Sequence, residues 1–91
     1  MTWATVVFVS RRGTWFVAQE YDQWIVFELV DDEASIQICD EIRGRWKAKG
    51  GGQNAFVKRT GCTVETYIEG RFPSVRVPVQ KAKQWSGDEN A

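Results

Sequence analysis

Between positions 42 and 49 the chain alternates strictly, with Ile42, Gly44, Trp46 and Ala48 interleaved with Arg43, Arg45, Lys47 and Lys49. Alternate side chains of an extended strand share a face and lie roughly 6.6 Å apart, so this pattern predicts a strand with one apolar face and one face of four cations. That interval is close to the spacing of successive phosphates along a nucleic-acid strand. Lys58 and Arg59 follow, and no acid falls between residues 42 and 64. A second group of candidates is aromatic: Trp15, Phe16, Trp24 and Phe27. A basic track beside flat rings is how single-stranded nucleic acid is held, with phosphates on the first and bases on the second. The same side chains also have purely structural uses. The cations can pair with Glu65 and Glu69 across a sheet or protect an exposed edge, and at least half the rings of a small barrel must face inward.

Other chemistries are poorly supplied. The chain has no His, which removes the commonest general base near neutral pH and any Ser-His or Cys-His nucleophile. Cys39 and Cys62 alone leave a zinc site two ligands short. Asp31-Asp32-Glu33 lacks the spacing of a calcium loop and reads as a solvated break. Lys49-Gly50-Gly51-Gly52-Gln53-Asn54 has the glycines of a phosphate-cradling loop without its Gly-Lys-Ser/Thr ending, so a hairpin connection is expected. No catalytic residue, metal or cofactor is expected, and the chain reads as a non-enzyme.

The elements that must position these groups read as strands. Trp3–Ser10, Thr14–Glu20 and Trp24–Val30 are rich in β-branched and aromatic residues and are separated by turns at 11–13 and 21–23. After Ile36 and Ile38 come the 42–49 strand, the glycine turn, and strands over Ala55–Thr60 and Cys62–Glu69, with Gly70-Arg71-Phe72-Pro73 breaking the pattern. Val75–Val79 suggests either a last edge strand or, with Pro78 in its first turn, a short helix burying Ala82 and Trp85. One domain over residues 1–85 is expected, with a loose tail at 86–91.

Ninety-one residues, 43% hydrophobic and 26% charged, with five Trp and five Phe, are enough for one small core. Residues 1–41 carry two cations against eight acids and residues 42–91 carry ten against four, so two halves of −6 and +6 balance to zero. This asymmetry suits either two oppositely charged faces or two halves that attract each other. No stretch approaches the roughly 20 apolar residues of a membrane span, and the first residues do not resemble a signal peptide. Two cysteines make no disulfide framework, so a cytoplasmic location is expected; whether they pair is left open.

The run Arg-Arg-Gly-Thr-Trp-Phe-Val, then Trp-Ile-Val-Phe-Glu-Leu, a polar break and Ile-Cys-Asp-Glu-Ile-Arg-Gly resembles the layout of cold-shock and S1-type OB-fold domains over residues 3–48. The resemblance implies an all-β, five- or six-stranded OB-like barrel, with an SH3-like barrel as the alternative. It also implies base stacking on Phe16, with Trp24 and Val26 sharing that surface, and a phosphate contact from Arg12. Thr14 departs from it, standing where an aromatic is expected. The combined expectation is a non-catalytic module for single-stranded RNA or DNA, using Arg12, Phe16, Trp24, Arg43, Arg45, Lys47, Lys49 and Lys58. The alternative is a protein-interaction module or homo-oligomer that uses exposed Trp residues or an edge strand near Val75–Val79.

Overall fold

Six strands and one helix make up the computed structural model, which describes residues 1–30 and 35–87. The strands are β1 (Thr2–Val9), β2 (Trp15–Glu20), β3 (Gln23–Leu29), β4 (Glu41–Gly44), β5 (Gly50–Val57) and β6 (Cys62–Phe72); α1 spans Arg76–Ser86. They form a closed antiparallel barrel in the order β1-β2-β3-β6-β5-β4, with β4 returning to β1. The all-β barrel read from the sequence is therefore the fold, with six strands and the short C-terminal helix. The acidic break at 31–34 lies outside the described residues, as do residues 88–91 of the expected 86–91 tail, whose Ser86 and Gly87 are the last residue and the cap of the helix.

Two apolar layers hold the barrel. Inside, Val6, Phe16, Ile25, Phe27, Ile42, Val57 and Ile68 are sealed from solvent, and Phe16 stacks on Phe27 at 5.3 Å and 18°. Outside, α1 lies across β2 and β3, so that Val17 and Val26 are wholly buried beneath Ala82. Trp15, Trp24, Phe8 and Phe72 complete this second cluster. This is why β2 and β3 carry apolar groups at successive positions: one set fills the barrel and the other meets the helix. The helix packs its Trp85 ring against Trp15, with centroids 5.1 Å apart. Gly87, at φ 81°, ends it in the left-handed conformation that glycine adopts at low cost.

Four expectations are corrected. The 42–49 segment alternates in burial as expected, but its strand stops at Gly44. Beyond it, Ala48 N donates to Arg45 O at 3.0 Å in a turn, and Trp46 folds back into the barrel with its ring 5.3 Å from Phe27. Gly44 permits this, because a Cβ there would come within 3.1 Å of the indole. The glycine run is not a turn; it opens β5, with a register shift between Gly50 and Gln53. The Val75–Val79 segment is no edge strand, since the helix begins at Arg76, two residues ahead of Pro78, and runs through Ser86. Trp85 stays 42% exposed rather than buried.

Trp46 is 1% exposed and donates its indole N–H to Ile42 O at 3.3 Å. Replacing it by Ala empties the end of the barrel, and a Trp46→Ala protein is expected to lose about 3–5 kcal/mol in a urea-unfolding experiment. The half-exposed Trp85→Ala should lose distinctly less.

Candidate nucleic-acid interface

Among the described residues, three acid–cation pairs absorb part of the charge. Glu20, at the end of β2, is buried; it accepts from Arg71 on β6 and from the Thr2 hydroxyl. Arg71 also donates to Trp46 O at 3.3 Å, tying the 45–49 loop to the barrel. At the other end, Arg59 grips both oxygens of Asp40 at 2.8 and 3.1 Å and donates to Ser35 O. Asp40 Oδ2 also accepts from Gln37 N. Lys58, one of the expected site cations, pairs with Glu41 at 3.1 Å on the surface.

Burial pushes the Glu20 carboxyl up, but bonds from Thr2 and Arg71 and the nearby Arg71 and Lys47 charges outweigh it, leaving the pKa below its ordinary value. Burial opposes Asp40 likewise, and the Arg59 and Gln37 bonds with the Arg59 charge hold it low.

The expected site residues do not converge on one surface. Phe16 is fully enclosed, so its ring is unavailable as a stacking platform. Trp24 and Val26 lie under α1. The face of strands two and three that OB-type proteins offer to oligonucleotides is thus occupied by the protein's own helix. Arg12 sits in the exposed β1–β2 turn, at the opposite end of β1 from Thr2 and Gly44. By strand rise it is roughly 20 Å from the 45–49 loop.

What does converge lies on the other side of the barrel. In the registers of β1, β4 and β5, Trp3 stands beside Arg43 and Arg43 beside Phe56, all pointing outward. The Arg43 guanidinium carbon lies 5.5 Å from the Trp3 ring centroid and 5.6 Å from that of Phe56. The two rings meet edge to face at 6.3 Å. Such contacts hold a cation over apolar surface without neutralising it. Arg45, Lys47 and Lys49 continue from the end of β4 as exposed loop cations around Trp46. Open clefts of about 540 and 240 Å³ flank that indole, the first with Arg45 in its wall and the second with Lys49. Tyr67, 43% exposed on β6, lies over Gly51 and adds a third ring to this side.

Arg43, Arg45, Lys47 and Lys49 were therefore legible as exposed cations, although only Arg43 is on a strand. Trp3, Phe56 and Tyr67 were missed because they are remote in sequence and only strand register gathers them. The available signal was parity: Trp3 is out of phase with the inward Ala4 and Val6, as Phe56 is with Ala55 and Val57.

No group of three His, Cys, Asp or Glu residues able to hold a metal occurs among the described residues, and none of their helices is long and apolar enough to cross a membrane. Cys39 and Cys62 are free thiols at the surface. Comparison with protein-family models, curated protein sequences and solved structures finds no match.

Both low-pKa carboxyls bind protons less readily folded than unfolded. Their contribution to stability is complete above the ordinary carboxylate range and is lost as pH falls through the folded values. Urea midpoints should hold steady from pH 7 to about 5 and then fall steeply. A Glu20→Gln protein should be less stable at pH 7 by roughly 1–3 kcal/mol and show a shallower acid decline.

Proposed function

We propose that the protein is a non-catalytic, OB-like binding module for single-stranded nucleic acid, and that it binds on the outer face of β1, β4 and β5. The observation that carries this reading is the Arg43 guanidinium set over Trp3 and Phe56. Between the described residues, the ion pairs use Lys58, Arg59 and Arg71, which leaves Arg43 to the rings. In the proposed mode a base stacks on Trp3 or Phe56, and Arg43, Arg45, Lys47 and Lys49 meet the phosphates that follow. Of the carboxylates beside this face, Glu41 and Glu20 are each bonded to a cation, while Glu65 stands opposite Asn54. Phosphates would therefore run along the β4 side, away from Glu65.

A second reading rests on α1, where Val75, Val77 and Trp85 are each 41–42% exposed. In that reading a protein partner anchors on the exposed part of Trp85, as Trp commonly anchors interfaces.

Anisotropy titration of labelled single-stranded DNA and RNA distinguishes the two. Binding should weaken steeply with salt, and Arg43→Ala should lower the salt slope by about one. Trp3→Ala and Phe56→Ala should each cost about 1–3 kcal/mol, with Trp85→Ala unchanged. Binding that is indifferent to salt and to Trp3, or lost in Trp85→Ala, would overturn the assignment.

A further inference from the structure

Because β4 ends at Gly44, only Ile42 and Arg43 pair with β5, and residues 50–54 are registered with β6 alone. The 45–49 loop crosses the end of the barrel instead, and a cleft of about 240 Å³ is lined jointly by that loop and the last part of β6. Lys47, Lys49 and Arg71 line it together with Trp46 and Gly70, and no acid among the described residues does.

The guanidinium in this cleft is fixed. Arg71 is registered with Ile25, which points into the barrel, so its side chain turns into the barrel end. There the buried Glu20 carboxylate and the Trp46 carbonyl each accept a bond from a different guanidinium nitrogen. A guanidinium has five N–H donors, so these two bonds leave donors for a further acceptor. Lys47 adds its charge near the same carboxylate. With Glu20 beneath them, the three cations leave the cleft a net charge of +2.

The cation track also runs out at this point. Arg43, Arg45, Lys47 and Lys49 lead toward the cleft along the chain, and beyond its Gly70 wall the outer face of the sheet is covered. Gly70 is registered with Val26, which is buried under α1. The Phe72 ring closes over Gly70, where an added Cβ would come within 3.2 Å of it. A strand laid on the track therefore meets a wall here.

We propose that this cleft holds the terminal phosphate of the bound strand, an inference that rests on the nucleic-acid reading above. A diester within a strand carries one negative charge, whereas a phosphomonoester carries about −1.5 to −2 at pH 7 and presents three strong acceptor oxygens. That matches two net positive charges and donors from two lysines and a guanidinium. An internal phosphate also needs room for chain on both sides, which Phe72 and the helix deny.

The test uses unlabelled DNA oligomers of one sequence as competitors against a labelled single-stranded probe, at a pH well above the second phosphate pKa of about 6. They end in hydroxyls only, in a 5′-phosphate or in a 3′-phosphate. A hydroxyl-ended oligomer two nucleotides longer matches the phosphorylated ones in charge and serves as the control. One phosphorylated end should compete about tenfold or more better than this control. Combined Lys47→Ala and Lys49→Ala substitutions should remove most of that advantage, whereas Arg43→Ala should weaken all the oligomers alike and keep it. Both lysines are exposed, and near-ultraviolet circular dichroism checks that the variant keeps its packing. Competition no better than the control from either phosphorylated end, or an advantage that survives the double substitution, would overturn the terminal site while leaving salt-dependent binding intact. If the probe itself does not bind at low salt, the nucleic-acid reading fails and the proposal with it.

Discussion

For the indole of Trp46 to reach Phe27, the chain must leave the sheet after Gly44, and much of the molecule follows from that departure. The ring closes one end of the barrel, and its N–H finds the Ile42 carbonyl, so burying it leaves no polar atom unpaired. Its own carbonyl is held by Arg71, which is fixed by the enclosed Glu20. Strand β4 is shortened to four residues as a consequence. The cations beyond Gly44 become loop residues, and the start of β5 is left without a neighbour. One buried side chain thus creates both the basic mouth and the open edge beside it.

Much of the sheet was legible from two simple rules. Runs of β-branched and aromatic residues mark the first three strands, and an apolar group at every second position gives the inward phase of Ile42, Gly44 and Trp46. The end of β4 follows from neither, because a residue that folds back into the core keeps the same alternation in burial as one that stays in the ladder. Along β2, Trp15, Phe16, Val17 and Ala18 are all apolar, so alternation cannot say which ring faces in. The helix that makes the outer set apolar is more than 50 residues away in sequence. Phe16 was accordingly given to the surface when it belongs to the interior. The glycine run failed differently: three glycines imply a turn by composition, whereas here positive φ values let a strand begin with a bulge.

The candidate site was legible by charge and hidden by topology. The alternating cations are visible in eight consecutive residues, but the rings that give Arg43 its setting come from positions 3 and 56. Barrel closure brings the first strand to the fourth, so the surface exists only once the chain is fully wound. The −6 and +6 halves fit the same picture at three points, Glu20 with Arg71, Asp40 with Arg59 and Glu41 with Lys58, where opposite charges meet across the fold. Of the other positive residues of the second half, Arg43, Arg45, Lys47 and Lys49 colour the side away from the helix, while Arg76, Lys81 and Lys83 lie on α1.

The contact between Trp15 and Trp85 has a spectroscopic consequence. Two indoles 5.1 Å apart and inclined at 48° lie close enough for their electronic transitions to couple. The resulting paired bands of opposite sign in circular dichroism belong to neither residue alone. They vanish when the helix leaves the sheet, even if the barrel stays closed, because Trp15 keeps its strand while Trp85 departs. The protein therefore carries an internal optical gauge of helix docking, separable from the signal of the enclosed Trp46.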